Sequence, residues 1–332
     1  MFRGEAALSG IVDPSSGSKR LSLANIEEAS RTIDPVFRNT PQFVCEPLSD
    51  AVGVRTLVKV EVANPIRSFK GRGADYLVGG LPPGTRVITA SAGNLGQAMA
   101  YACRKRGLVL TVYASVNANP LKLERMKALG ADVVLYGEDF DAAKTEAKRV
   151  AAAIGIPMIE DGREPRLSEG AGSIAIELLS YAEPFDTILV SLGNGAILGG
   201  IARWLKAHAP KIEVIGVAAS GAPCMEQSWR TGRLVETASI DTIADGMATR
   251  IPIPEALGDL TGTIDDVLLV EDAAMVEGLR LVHRHLGLVL EPSGAAGIAA
   301  LLENRKWFQG RTVATVLCGG NLTPEQAARW LA

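Results

Sequence analysis

The sequence predicts an α/β fold built from open, mainly parallel sheets covered by helices, and three observations carry that prediction. First, apolar runs rich in Val, Ile and Leu alternate with longer amphipathic stretches along most of the 332 residues. Second, the alternation comes in two series separated by a Pro and charge cluster, Glu160-Asp161-Gly162-Arg163-Glu164-Pro165-Arg166, a candidate domain crossing. Third, 35 glycines beside only 5% aromatic residues leave packing to small and β-branched side chains. The length agrees with about two domains, or one large core with an insertion.

Each element has its own local reason. After a polar, Ser-rich opening, residues 55–62 read as a strand and 71–80 as a short helix, closed by the breaker Pro82-Pro83-Gly84. The apolar runs at 87–90, 108–114 and 131–136 read as strands, and the helical patterns at 96–105, 120–129 and 140–154 follow them in turn. The second series opens with a helix at 173–181, a strand at 187–192 and a helix at 197–207. Strands at 212–218 and 267–270, helices at 273–286 and 294–304, and a last strand at 312–318 complete it. There is no internal repeat and no low-complexity tract beyond the first twenty residues.

Composition excludes several classes. Lys plus Arg number 34 against 37 Asp plus Glu, a formal charge of −3, so neither nucleic acid nor another polyanion is an expected partner. Gly, Arg or Lys interrupts every apolar run short of the ~18 residues of a membrane span. The first ten residues show neither a sustained apolar run nor a cleavage pattern, so no signal peptide is expected. Cys45, Cys103, Cys224 and Cys318 lack CxxC spacing, and the histidines are only His208, His283 and His285. No metal site or disulfide framework follows; His283 and His285, two apart, fall on different faces of a helix. Together these point to a reducing cytoplasm.

Five segments bear residues that suit chemistry. Lys70 stands between a strand end and a helix start, beside Gly71 rather than a charge partner of opposite sign, with Arg72 nearby; it reads either as a nucleophilic amine or as a surface lysine. Ser91-Ala92-Gly93-Asn94-Leu95 occupies a strand-to-helix turn suited to a carboxylate, or simply caps the helix. Gly193-Asn194-Gly195-Ala196-Ile197 follows a strand and opens a helix, a phosphate cradle or a tight turn. Finally, Glu291-Pro292-Ser293-Gly294 opens a helix and Cys318-Gly319-Gly320-Asn321 ends the last strand. Sites gather at such termini in parallel sheets, although Cys318 alone reads as a small buried hydrophobe.

In this combination and chain order the motifs resemble those of fold type II pyridoxal phosphate enzymes, in the branch of threonine/serine dehydratases and serine racemases. The likeness runs from about Arg31 to Ala332 and rests on Ser68-Phe69-Lys70-Gly71-Arg72-Gly73-Ala74 and the four signatures that follow it. It implies two open, mainly parallel twisted sheets of the tryptophan synthase β kind, with pyridoxal 5'-phosphate in the cleft between two domains. The larger domain comprises 1–83 and 162–332; the smaller, 84–161, carries the substrate loop and closes on substrate.

By the same resemblance Lys70 forms the Schiff base with the cofactor and then removes the α-proton. Ser91 to Leu95 hold the substrate carboxylate, and Asn94 also meets the cofactor's phenolic oxygen. Gly193, Asn194, Gly195, Ala196 and Ile197 give N–H groups to the phosphate. Phe69 packs on the ring, Gly246 lies in a loop beside it, Glu291 stands on the rim, and Cys318 meets the pyridine nitrogen. A neutral partner there makes a weak electron sink, which suits elimination better than transamination.

Departures from the branch pattern narrow the reading. Ala92 replaces the serine that serves racemases as acid and base, which disfavours racemisation. Ala218 and Cys224 stand where metal-dependent members carry acidic residues, so no metal is expected. Leu95 replaces a common histidine and opens the choice of substrate; Asn194 and Ala196 interrupt an all-glycine run. One helix and no regulatory domain is expected after Cys318. The expected activity is β-elimination from a hydroxy amino acid such as L-threonine or L-serine, giving a 2-oxo acid and ammonia. Alternatives are β-replacement of the cysteine synthase kind, racemisation, and a non-catalytic cofactor-binding protein. A small amino-acid substrate, no membrane partner and a homodimer complete the expectation.

Overall fold

A computed structural model describes residues 19–331. The ten residues read for a signal peptide and most of the Ser-rich opening lie outside the described residues. The chain runs α1 (Leu23–Thr32), β1 (Gln42–Val44), α2 (Glu46–Val52), β2 (Arg55–Val60) and α3 (Lys70–Gly79). It continues through β3 (Arg86–Ala90), α4 (Asn94–Arg106), β4 (Val109–Ala114), α5 (Pro120–Ala128), β5 (Asp132–Leu135), α6 (Phe140–Ile154) and β6 (Met158–Ile159). Next come α7 (Pro165–Leu179), β7 (Thr187–Ser191), α8 (Ala196–His208), β8 (Glu213–Ala219), α9 (Cys224–Thr231), α10 (Pro254–Leu260) and β9 (Asp266–Val270). The chain closes with α11 (Asp272–Leu286), α12 (Ala296–Glu303), β10 (Thr312–Leu317) and α13 (Pro324–Leu331).

Two sheets result. The larger has the order β1-β2-β10-β7-β8-β9, parallel throughout except for β1, which pairs antiparallel with β2. The smaller, β5-β4-β3-β6, is wholly parallel. Both faces of the larger sheet are covered, which explains its nearly continuous apolar strands. Val58, Leu189, Ile215 and Val217 join the core with Leu279, Ile298 and Leu301 from α11 and α12. Their neighbours Leu57, Ile188, Val190 and Val214 join the opposite core with Ile174 of α7 and Ile201 of α8. The period of two along β2 and β7 thus divides one strand between two cores.

Several short elements have no counterpart in the sequence reading: α1, β1, α2, β6, α9 and α10. β1 and β6 hold three and two residues, too few for a period to show. A more instructive difference is α7, which begins at Pro165 rather than at 173, so the separating cluster ends inside it. Pro165 takes the first helical position and the Glu164 carboxylate accepts from the Arg166 N–H at 3.1 Å. Gly170 and Gly172 obscured this helix in the sequence, yet they sit at its crossings. A Cβ on Gly170 would stand 2.6 Å from the Gly73 Cα of α3, and one on Gly172 would stand 2.9 Å from the Gly200 carbonyl of α8. The predicted helix at 294–304 divides into a 3-10 turn, Pro292–Ala295, and α12.

Candidate active site

Parallel pairing brings three motifs together. β2, β10 and β7 are neighbours pointing the same way, so the loop holding Lys70, the Cys318 segment and the glycine loop emerge at one edge. The Lys70 segment is stitched to the end of β10. The Phe69 N–H donates to the Cys318 carbonyl at 3.0 Å, Ser68 bridges Gly319, and the Gly320 N–H donates to the Arg67 carbonyl at 3.0 Å. Lys70 then heads α3 with its side chain only 16% exposed, Nζ 4.7 Å from the centre of the Phe69 ring. The surface-lysine alternative is thereby set aside.

An acid that the sequence reading missed meets Lys70. Asp161 Oδ2 accepts from Lys70 Nζ at 2.6 Å and from Asn194 Nδ2 at 3.2 Å, while its Oδ1 is buried without a partner. Lys70 has no acidic neighbour in sequence, but in space it faces a carboxylate from the end of β6. Asp161 lay in the charged cluster read as a crossing, and no local pattern marks it.

The glycine loop has the form of an anion cradle. Gly195 has φ +89 and α8 begins at Ala196; the backbone N–H groups of Gly193 to Ile197 make no hydrogen bond among the described residues. Buried donors in that state need an acceptor. Gly193 has no room for a side chain, since a Cβ would stand 2.2 Å from the Gly246 carbonyl, and Gly246 in turn lies against Ser293 Oγ. The Asn194 side chain receives a bond from Thr249 Oγ1 at 3.2 Å and gives one to Asp161, which anchors the loop where other residues would be free.

The Ser91 loop serves two ends. Ser91 Oγ accepts from the N–H groups of Gly93 and Gly96, at 3.2 and 3.1 Å, so the capping alternative is realised. The N–H groups of Asn94 and Leu95 at the start of α4 remain without partners among the described residues, as a carboxylate site requires. The Leu95 side chain is buried in the core that includes Ile66, Leu123 and Met126. Ala92, half-buried, offers only a methyl group. Asn94 Nδ2 donates to Glu291 Oε1 at 2.7 Å and Asn94 Oδ1 accepts from Asn321 Nδ2 at 2.8 Å, which ties this loop to the larger sheet. Glu291 also accepts from Ser293 Oγ at 3.1 Å and from the Asn321 N–H at 3.1 Å.

Comparison with known proteins agrees with this geometry. The profile of the family described as pyridoxal-phosphate dependent enzyme matches residues 33–319. The chain belongs to that family. It is 31% identical over 310 residues to an L-threonine ammonia-lyase of Thermotoga maritima, covering 91% of this chain and 76% of that protein. It is 32% identical to the biosynthetic L-threonine dehydratase of Pasteurella multocida over 88% of this chain, and spans 58% of that longer protein. The structure of maize serine racemase superposes with a TM-score of 0.87 at 27% identity, covering 93% of this chain and 96% of that one.

The pyridoxal-phosphate family fixes the cofactor, and the residues present fit it: an amine at Lys70, orphan N–H groups for a phosphate, and Cys318 for the ring nitrogen. Burial pushes the Cys318 thiol up to about 12, so it is neutral at physiological pH. Its Sγ lies 3.6 Å from Ser191 Oγ and 3.6 Å from the Ser293 carbonyl. Among the described residues no group of three His, Cys, Asp or Glu side chains is placed to hold a metal. Ala218 is buried in β8, and the Cys224 thiol donates to the Thr249 carbonyl at 3.0 Å. No helix among them is long and apolar enough to cross a membrane.

Proposed function

We propose that the chain is an ammonia-lyase that removes water from a hydroxy amino acid such as L-threonine or L-serine and releases a 2-oxo acid and ammonia. One observation carries this reading: the Lys70 amine, the glycine loop with its unpaired N–H groups, the Ser91 loop and the Cys318 segment are drawn together through Asp161, Asn321 and the end of β10. Pyridoxal phosphate, when bound through Lys70, supplies the electron sink that acidifies the substrate's α-hydrogen. Ser91 and Asn94, with the N–H groups of Asn94 and Leu95, hold the substrate carboxylate; the N–H groups of Gly193 to Ile197 hold the cofactor phosphate. The Lys70 amine takes the α-proton. The Cys318 thiol supports the ring without giving it a permanent charge, which favours loss of a leaving group over prolonged charge storage. The Ala92 methyl cannot transfer a proton on the opposite face, so racemisation is disfavoured.

The segment 84–161 acts in this reading as the smaller domain, closing over substrate and excluding water. A homodimer is part of the same proposal, supported by the family resemblance, and so is a reducing cytoplasm, supported by four free cysteines without paired spacing. The test compares wild type with Lys70→Ala by absorption spectrum and by assay of 2-oxo acid and ammonia with L-serine, L-threonine and larger 3-hydroxy amino acids. A Lys70-dependent band near the visible edge and equal yields of oxo acid and ammonia support the lyase. A band that amino acids shift without oxo acid release supports β-replacement instead.

A further inference from the structure

Arg67 stands in the left-handed region, at φ +53. Its backbone accounts for that angle: the N–H donates to the Asn64 carbonyl at 3.0 Å and the carbonyl accepts from Gly320 at 3.0 Å, which stitches the Lys70 segment to β10. Glycine would meet this demand without strain, whereas an L side chain meets it at a steric cost. A backbone outlier next to a catalytic segment is grounds for asking what the side chain does.

The guanidinium of Arg67 is half-buried and makes no hydrogen bond or ion pair with any described residue. Its charged neighbours are Arg125 and Glu291: Arg67's own burial and the Arg125 charge push its pKa down, against Glu291. Glu291 accepts only from uncharged donors, those of Asn94, Ser293 and the Asn321 N–H, so one carboxylate faces two cations and the group keeps a net positive charge. Arg125 reaches inward, donating through Nη1 to Asn321 Oδ1 at 3.2 Å, and Asn321 donates to Asn94 Oδ1 and, at 2.9 Å, to the Ile66 carbonyl next to Arg67. Two cations therefore flank the Asn321–Asn94 pair that leads into the carboxylate loop. Asp161 is engaged elsewhere, with Lys70 and the glycine loop.

We propose that Arg67 and Arg125 form an anion subsite at the mouth of the cleft, which selects amino acids whose side chain carries a carboxylate or a phosphate. Arginine's planar fork suits either group. The inference rests on the ammonia-lyase reading above. In the reaction the Cα–H and Cβ–O bonds break, the proton passes to Lys70, and the electron pair leaves with oxygen, either as phosphate or as hydroxide, which takes the proton back from Lys70 and departs as water. Water then converts the released enamine into a 2-oxo acid and ammonia.

The test uses holoenzyme in wild type, R67G, R67K and R125A. Binding is read from the change in cofactor absorption on titration with L-aspartate and L-alanine, neither of which carries a β-oxygen to eliminate. Turnover is read as kcat/KM for L-threo-3-hydroxyaspartate and O-phospho-L-serine relative to L-serine. Wild type is expected to bind L-aspartate about 10-fold more tightly than L-alanine or better, the range of hydrogen bonds to a charged group. R67G should lower both ratios by roughly 10- to 100-fold, mainly through KM, and R67K should restore part of the loss. The better of the two anionic substrates names the group. Binding ratios equal in wild type, R67G and R125A overturn the subsite whatever the turnover. A ratio that falls in R67G while no substrate yields 2-oxo acid upholds the subsite and overturns the lyase reading. Should R67G fail to fold, R125A, which removes the other cation, is expected to lower both ratios and decides in its place.

Discussion

Lys59 and Arg72 are fully buried cations one layer behind the candidate site. Arg72 binds Glu61 through Nε at 2.8 Å and Glu177 through Nη1 at 2.7 Å, and Lys59 Nζ donates to Glu177 Oε2 at 2.5 Å. Burial pushes the Glu177 carboxyl up, but hydrogen bonds and charge from Arg72 and Lys59 outweigh it and hold it at about 2. Because that value lies below the ordinary 4.5, the stabilisation is complete above about pH 4.5 and is lost as pH falls towards 2. Glu177→Gln leaves two buried cations undercompensated and should cost about 3–5 kcal/mol at pH 7. Urea unfolding at a series of pH values should show the gap between variant and wild type closing below pH 4.5; a gap independent of pH contradicts this account. At the site itself, Asp161 Oδ2 accepts from Lys70 Nζ, the amine that the proposed reading gives to the cofactor. Asp161→Asn replaces a charge-assisted bond with a neutral one, so cofactor-free variant protein should take up pyridoxal phosphate about 10-fold faster, read as growth of the visible band.

At the scale of elements, helices α3, α7 and α8 meet through glycines. A Cβ on Gly73 would stand 2.3 Å from the Leu167 carbonyl, and one on Gly200 would stand 2.0 Å from the Ser168 carbonyl. Gly199, the preceding residue of α8, would meet only side-chain atoms at 3.5 Å and beyond. Two adjacent substitutions should therefore have opposite signs. Gly200→Ala forces α7 and α8 apart and should cost roughly 1–3 kcal/mol, whereas Gly199→Ala gains up to about 1 kcal/mol of helix propensity. Chemical denaturation midpoints decide the matter. Since α8 carries the glycine loop at its start, the close crossing with α7 also sets where that loop stands relative to Lys70 on α3.

For the whole molecule, the two sheets are joined in two ways: one apolar core unites Phe37, Ile66, Leu77 and Val78 with Val87, Leu95, Met99 and Leu110, and polar contacts bridge the loops around the site. Lys122 Nζ meets Asp245 Oδ2 at 2.8 Å, Arg250 pairs with Asp141, and Asn94 meets Glu291 and Asn321. Partly exposed ion pairs of this kind contribute about 1 kcal/mol or less each, so they permit relative motion of the two sheets. If the segment 84–161 closes on substrate, hydrogen exchange in α4 and α5 should slow on adding a saturating amino acid while α11 and α12 stay unchanged. Equal protection in both regions speaks against closure.

The residues at strand ends were legible because the backbone there makes local demands. The Lys70 segment, the turn at Ser91 and the turn at Gly193 each follow a strand and open a helix, and those demands are written in consecutive residues. The alternation of strands and helices was legible for the same reason, as a period that neighbours share. The partners were not. Asp161 lies 91 positions from Lys70, and Glu177 lies 118 from Lys59. The start of α7 was obscured by glycines that only the crossing with α3 and α8 explains. By itself the sequence determined the parallel α/β architecture and the family, and it named the groups proposed for cofactor and substrate carboxylate. The tertiary structure alone decided which carboxylate faces the lysine, which arginines overlook the substrate loop and how closely the helices cross, because each depends on contacts between segments that no local period relates.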